Sequence, residues 1–263
     1  MKIFFDIYIN YETFKLLLWG MFATGLIVFV ALYFTEAGYG RFFNSKWGPA
    51  INNKVAWFAM EVPVFLAMTM LWLRSERQLE VVPLIFFFLF QLHYFQRSFI
   101  FPLLLRGHKK MPITIVLLGV TFNVVNAIMQ GGWIFYIAPE YLYTRDWLSS
   151  WQFVLGTVIF FSGLYINMQS DHIIRNLRDN GEKDYHIPKG GLFKYVSSAN
   201  YFGEFIEWVG FAILTWSAAG AIFAFWTFAN LAPRANSIHK WYSEQFGEEF
   251  SRLNLKRIIP FIY

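Results

Sequence analysis

The chain has no cysteine. That excludes disulfides, iron–sulfur ligation and a thiol nucleophile at once. It is also poor in charge: 15% of its residues are Asp, Glu, Lys or Arg, against about 25% in soluble domains. Gly-x-Gly-x-x-Gly, P-loop and Gly-x-Ser-x-Gly signatures are all missing, so a nucleotide bound here is bound outside the usual Rossmann and P-loop vocabulary. The five histidines, His93, His108, His172, His186 and His239, are scattered and share no metal-ligand spacing with acids; no metal site is expected. No internal repeat or low-complexity stretch interrupts the chain. Its start, MKIFFDIYIN, with a lone Lys2 and an early Asp6, does not read as a cleavable signal peptide.

Apolar sequence takes the place of charge. Hydrophobic residues make up 57% of the chain and the mean hydropathy is +0.40. Runs at 11–34, 55–73, 81–105, 113–135, 151–171, 199–216 and 218–231 reach or approach the roughly 20 residues that cross a bilayer. The expectation is an all-α polytopic membrane protein with seven transmembrane helices, one integral-membrane domain over 1–263. The last helix is expected to be lengthened by the segment after Pro233, and the chain must turn at Ser217-Ala218. Aromatic residues, 22% of the total, suit lipid contact, interface belts and a pocket for a flat apolar ligand.

The net charge of +5 follows topology and does not point to nucleic acid. With seven spans, loops 1–2, 3–4, 5–6 and the C-terminal tail share one side and hold sixteen of the 22 Lys and Arg. The N-terminus and the other two loops hold five, and Arg97 lies within a span. The positive-inside rule then puts the N-terminus outside and the C-terminus in the cytosol. Six spans would destroy this asymmetry.

The densest polar stretch is 167–208. Asn167, Asp171 and Arg178, spaced +4 and +11, fall within about 40° of one another on a helix. Asn200, Glu204 and Glu207, spaced +4 and +7, share a face of an apolar helix and imply a polar cavity within the membrane. Between the stripes lies HIPKGG, a proline stop followed by two glycines. Arg178, Lys183, Lys189 and Lys194, with Gly190 and Gly191, offer a place for phosphates, although the positive-inside rule supplies basic loops without any ligand. Asp171 and Arg175 at i,i+4 also form an ordinary solvated helix pair on paper.

Two further positions stand out. Glu61 sits mid-span, where a charge costs about 2.5–3.5 kcal/mol on insertion scales, so it faces the bundle interior, either with a function or in a hydrogen bond to a neighbouring helix. Tyr94 and Arg97 lie one turn apart in the third span. The tyrosine reads as packing, interface anchor or site residue, and the permanently charged arginine is expected to pair with an acid such as Glu61 or Glu207.

The motifs LHYFQRSF, INMQSDHIIRNLR and YHIPKGGLFKYVSSANYFGEFIEW, with the R-x4-H-x2-Y pattern of Arg234, His239 and Tyr242, resemble the steroid 5α-reductase family, the 3-oxo-5α-steroid 4-dehydrogenases. The resemblance runs from AWFAMEVP at 56–63 to IIPFIY at 258–263. It implies NADPH-dependent reduction of the Δ4 double bond of 3-oxo-Δ4 steroids, with hydride delivered to C5. It implies that Glu61 and Tyr94 hold the C3 carbonyl and that Trp208 lies beside the steroid. It implies that Asn167, Asp171, Arg178, Tyr185, Asn200, Glu204, Arg234, His239 and Tyr242 hold the cofactor. The substrate pocket is expected mainly from 55–135 and the cofactor site mainly from 160–263. A monomer is expected in a bacterial inner membrane or the endoplasmic reticulum membrane, its cofactor site facing the cytosol and its sterol-like substrate entering from lipid. Met60 departs from the glutamine common before the glutamate, and Leu255 from an arginine common near the C-terminal IIPF. For both groups to donate to one carbonyl oxygen, Glu61 must carry a proton, because an ionised carboxylate only accepts.

Other readings remain at this point. A membrane enoyl-CoA or polyprenol reductase would share the cofactor half and differ in the acceptor pocket. A membrane methyltransferase is similar only in the C-terminal half. A proton or solute transporter would use Glu61, Glu204 and Glu207 as a carboxylate relay.

Overall fold

The computed structural model describes residues 10–107, 109–177 and 185–263. Helix α1 (Tyr11–Phe34) starts at Asn10, whose side chain accepts from the Thr13 amide at 2.9 Å and so satisfies a donor that the helix start leaves open. Strand β1 (Ala50–Asn52) leads into α2 (Asn53–Leu73), capped by Asn52 on the Lys54 amide. Helix α3 (Val81–Phe95) continues without a break through a π-helical turn, Gln96–Ile100, into α4 (Phe101–Leu104). Strand β2 (Lys110–Pro112) precedes α5 (Ile113–Gly132), which ends in a second π-helical turn at Trp133–Ile137. Helices α6 (Trp151–Arg175), α7 (Ala199–Thr215), α8 (Ala218–Phe246) and α9 (Glu248–Ser251) complete the order.

Five stretches, Tyr11–Phe34, Asn53–Leu73, Val81–Leu104, Ile113–Ile137 and Trp151–Arg175, are long and apolar enough to cross a membrane. Their outward faces carry exposed Leu16, Trp19, Leu66, Phe88, Leu117 and Val158, an apolar surface that water would not tolerate and lipid does. The protein is therefore an all-α membrane protein, apart from one short antiparallel ladder that sequence periodicity did not announce. In it β1 pairs with β2, Ala50 opposite Pro112. The seventh apolar run continues through Pro233 as a single helix to Phe246, the expected lengthening.

Helices α6 and α7 form the closest pair, and glycine makes it possible. Gly156 and Gly163 on α6 meet Gly203 and Gly210 on α7; a Cβ at any of the four would fall on backbone atoms of the opposite helix. Small residues at this spacing let two membrane helices approach backbone to backbone. The turn into α8 is tight. Trp216 adopts the left-handed conformation (φ 46°), and the Ser217 hydroxyl accepts from the Gly220 amide at 3.0 Å to cap α8.

The segments that the charge count assigns to one side touch one another. The β1–β2 ladder joins the first and third interhelical loops. Ser197 donates its amide to the Lys256 carbonyl at 2.8 Å, and Lys256 donates to Tyr195 at 2.9 Å, linking the loop before α7 to the C-terminal tail. Arg41 donates to the Tyr242 hydroxyl at 3.3 Å, linking the first loop to the end of α8.

Replacing Gly203 by valine drives a branched side chain into the Asn167 backbone. The loss of stability should reach or exceed the about 1–3 kcal/mol usual for overpacking, because backbone cannot step aside. Thermal unfolding of the detergent-solubilised protein should show a large drop or no folded species for Gly203→Val. Gly20→Ala, where a Cβ meets nothing within 4 Å, should leave the midpoint unchanged.

Candidate active site

A cavity of about 1210 Å³ opens inside the bundle. Ligand pockets commonly measure about 300–1,000 Å³, so it has room for more than one drug-sized molecule. Nine of the twelve expected site residues line it: Glu61, Tyr94, Asp171, Tyr185, Asn200, Glu204, Trp208, Arg234 and Tyr242. They come from α2, α3, α6, α7, α8 and the loop before α7, so the two halves of the chain build a common site.

On one wall the Glu61 carboxyl and the Tyr94 hydroxyl are each held by an asparagine. Asn123 Nδ2 donates to Glu61 Oε2 at 3.1 Å and to the Met60 carbonyl at 2.9 Å. One turn further along α5, Asn126 Nδ2 donates to Tyr94 Oη at 3.0 Å. Gln130 Nε2 braces Asn126 Oδ1 at 3.3 Å and donates to the Ala219 carbonyl at 2.9 Å. The tyrosine oxygen thus accepts from protein and keeps its own hydrogen for something else. The stripe Asn123, Asn126 and Gln130, spaced +3 and +4 in an apolar helix, escaped the sequence reading although its periodicity was there to be read. Trp208 closes this wall, its ring 5.8 Å from that of Tyr94 and 4.7 Å from that of His93.

The middle of the cavity holds Arg97, on the π-helical turn. Its guanidinium reaches Asp171 at 3.4 Å and Glu204 at 3.9 Å, and stacks near Phe101 and Trp57. The acids expected for it, Glu61 and Glu207, are not those it contacts. The π-helical turn presents Arg97 towards Asp171 of α6 and Glu204 of α7, and Glu207, one turn along from Glu204, is taken by His93 at 2.9 Å. Asp171 likewise bonds Arg97 and Asn200 rather than forming a surface pair with Arg175. The two polar stripes do meet: Asn167 donates to the Asn200 carbonyl at 2.9 Å, and Asn200 Nδ2 to Asp171 Oδ1 at 3.2 Å.

The cavity lining is rich in cations. Arg41, Arg97, Arg106, Lys109, Arg175 and Arg234 line the cavity against the carboxyl groups of Glu61, Asp171 and Glu204. Arg234 lies 3.8 Å from the centre of the Tyr39 ring and donates Nε to the Tyr201 hydroxyl at 2.8 Å. Burial pushes the Tyr39 phenol up, keeping it neutral beneath that charge. Arg41 sits among the rings of Trp241, Tyr242 and Tyr185, at 3.9, 4.7 and 4.9 Å. Both guanidinium groups keep a buried Nη1 without a partner among the described residues. Buried unsatisfied N–H groups are costly, and an anionic ligand in the cavity would satisfy them.

The description that fits this arrangement comes from similarity. Residues 109–263 match the family model of 3-oxo-5-alpha-steroid 4-dehydrogenase. The chain belongs to that family. It is 40% identical over 240 residues to steroid 5-alpha-reductase DET2 of Arabidopsis thaliana, covering 89% of this chain and 90% of that protein. It is 39% identical over 244 residues to 3-oxo-5-alpha-steroid 4-dehydrogenase 1 of Bos taurus, covering 91% and 93%. It is 39% identical over 238 residues to 3-oxo-5-alpha-steroid 4-dehydrogenase 2 of Sus scrofa, covering 89% and 91%. The chain is thus an oxidoreductase of the 3-oxo-5-alpha-steroid 4-dehydrogenase family.

Three sequence-expected site residues lie off the cavity wall of this oxidoreductase or beyond view. Asn167 is buried, off the cavity lining, and meets it only through its hydrogen bond to the Asn200 carbonyl. His239 stands behind Ser197: the serine hydroxyl donates to the Arg257 carbonyl at 3.2 Å and so accepts from His239 Nδ1, also at 3.2 Å. Arg178 lies outside the described residues, as does Lys183. Of the basic loop that looked suited to phosphate, Lys189 and Lys194 do not line the cavity; Arg175, expected only as a helix partner of Asp171, does. Arg41, absent from the sequence-based set, lines the cavity.

Burial, and then the charge of Arg257, lower the His239 pKa. The unfolded chain, with a histidine pKa near 6.5, therefore takes up a proton before this corner does as the pH falls, and stability drops with it. Between about pH 7.5 and 5.5 the unfolding temperature of the wild-type protein should fall by more than that of His239→Gln. Equal slopes in the two proteins would remove His239 from the account.

Proposed function

We propose that this protein reduces the Δ4 double bond of 3-oxo-Δ4 steroids with NADPH. It does so as a single seven-span domain and a monomer, with its N-terminus outside and its C-terminus and cofactor site on the cytosolic side of a bacterial inner membrane or the endoplasmic reticulum membrane. The observation that carries this reading is the juxtaposition of Glu61 and Tyr94 on a common cavity wall, each oriented by an asparagine of α5, in a chain of the 3-oxo-5-alpha-steroid 4-dehydrogenase family.

The wall formed mainly by 55–135 receives the steroid, and the part formed mainly by 160–263 receives the dinucleotide. Asp171, Asn200, Glu204, Tyr185 and Tyr242 line the cofactor part, Arg234 offers its unpaired Nη1 to a phosphate, and Asn167, Arg178 and His239 belong to the same set. When bound, NADPH supplies the hydride that the steroid accepts at C5. Tyr94, with its oxygen lone pair occupied by Asn126, donates its hydrogen to the C3 carbonyl oxygen. Glu61, with Oε2 held by Asn123, carries a proton on Oε1 and donates the second bond. Both bonds strengthen as negative charge builds on the steroid oxygen, and that difference lowers the barrier. Trp208 bounds the steroid on this side. The cavity is also lined by Met21, Thr24 and Val28 of α1 and by Leu118, Thr121 and Phe122 of α5, and Thr24, Leu118 and Thr121 are exposed. This supports a passage from lipid between α1 and α5 for an apolar substrate.

The purified protein should consume NADPH only when a Δ4-3-ketosteroid is added, and the product should carry two more hydrogens. Tyr94→Phe should lower turnover on the order of 10²–10³-fold, the usual effect of removing one such donor. Glu61→Gln should be milder, because an amide still donates, and both should retain NADPH. Near-wild-type turnover in Glu61→Ala and Tyr94→Phe alike would mean that the two residues are structural.

For topology, tags at the two termini of the protein in intact vesicles should be labelled from opposite sides. Labelling from one side alone rules out seven spans.

A further inference from the structure

One buried pair is left over from this mechanism. His93 Nδ1 lies 2.9 Å from Glu207 Oε1, and the two side chains are 5% and 0% exposed. Placing two ionisable groups in an apolar bundle is costly, and the rings packed here, Trp208 on His93 and Phe90 and Phe211 on Trp208, give no structural reason for it. Glu207 Oε2 is buried without a partner, so the histidine is the only polar contact of that carboxyl group among the described residues. His93 lines the cavity beside Tyr94, its ring 5.0 Å from the tyrosine ring. Nδ1 is taken by Glu207, and Nε2, which has no protein partner among the described residues, is the nitrogen left to the cavity.

Uptake of hydride at C5 leaves an enolate whose C4 must gain a proton. Tyr94 and Glu61 are engaged at the C3 oxygen, and C4 is the next atom along. Resting on the steroid reaction proposed above, we propose that His93 is the general acid that protonates C4, with Glu207 holding the ring and stabilising its protonated form. In that form both ring nitrogens carry hydrogen. The electron pair of the C3=C4 bond takes the proton from Nε2, the N–H electrons stay on nitrogen, and the C3 carbonyl re-forms. The neutral imidazole keeps its Nδ1 hydrogen on the Glu207 carboxylate and regains the other proton from solvent.

The reaction is run in heavy water with NADPH and a Δ4-3-ketosteroid, and the deuterium at C4 of the product is located by NMR. The wild-type product should carry one solvent deuterium on a single face of C4. His93→Gln should turn over on the order of 10²-fold more slowly or worse, the usual share of a general acid. Its residual product should carry deuterium on both faces, because water then delivers the proton. NADPH binding, followed as a thermal shift, should be kept. Glu207→Gln preserves the volume and a hydrogen bond to the ring but not the charge, so it should slow turnover less and keep single-face labelling. Wild-type rate with single-face labelling in His93→Gln overturns the assignment. If His93→Gln does not accumulate as folded protein, unchanged turnover and an unchanged solvent isotope effect in Glu207→Gln overturn it instead. Absence of product with the wild-type protein overturns the steroid reading itself, and this assignment with it.

Discussion

The close approach of α6 and α7 is the contact on which the site depends. Four glycines, two on each helix, bring the backbones together where any Cβ would collide. Because the helices touch so closely, Asn167 reaches the Asn200 carbonyl, Asn200 reaches Asp171, and Glu204 and Asp171 come within range of one arginine. A wider spacing would leave two polar stripes facing hydrocarbon, with no water to satisfy them. The glycines carry no chemistry, yet they bring the groups that do into register.

A second constraint follows from the membrane. Each buried polar group needs a protein or ligand partner, and here the partners are distributed with a direction. Asparagines on α5 donate to Glu61 and Tyr94 from behind, which leaves the hydrogen of Tyr94 and the second oxygen of Glu61 for the cavity. Arg97 is neutralised by two carboxylates, whereas Arg41 and Arg234 each keep a buried N–H without an acceptor among the described residues. Of the buried groups left open among the described residues, Arg41 and Arg234 line the cavity, whereas Arg77, Gln91, Ser98 and Thr157 do not. In an apolar bundle that asymmetry is more informative than the total number of polar residues, since an open donor there is expensive.

Much of this was legible in the chain before any coordinates. Lengths of apolar sequence fixed the helices closely; α1 begins and ends where its apolar run does, at Tyr11 and Phe34. The spacing of Asn167 with Asp171, and of Asn200 with Glu204, marked faces that do converge. Less legible were features that depend on where a helix is rotated. Glu207 shares a face with Glu204 in the sequence pattern, but a few tens of degrees around α7 suffice to give one to Arg97 and the other to His93. Arg41 sits in a polar loop whose path no periodicity describes, and three aromatic rings from distant segments decide its place.

By itself, then, the sequence determined the class of the protein, its helices and the family motifs, because these rest on local composition and on spacing along one chain. Tertiary structure alone decided which acid meets which base, which asparagines orient Glu61 and Tyr94, which guanidiniums face the cavity, and that β1 and β2 form a ladder. Those outcomes turn on helix rotation and on contacts between segments as far apart in sequence as Arg41 and Tyr242, where differences of a few ångströms select the partner and nothing in the local pattern encodes them.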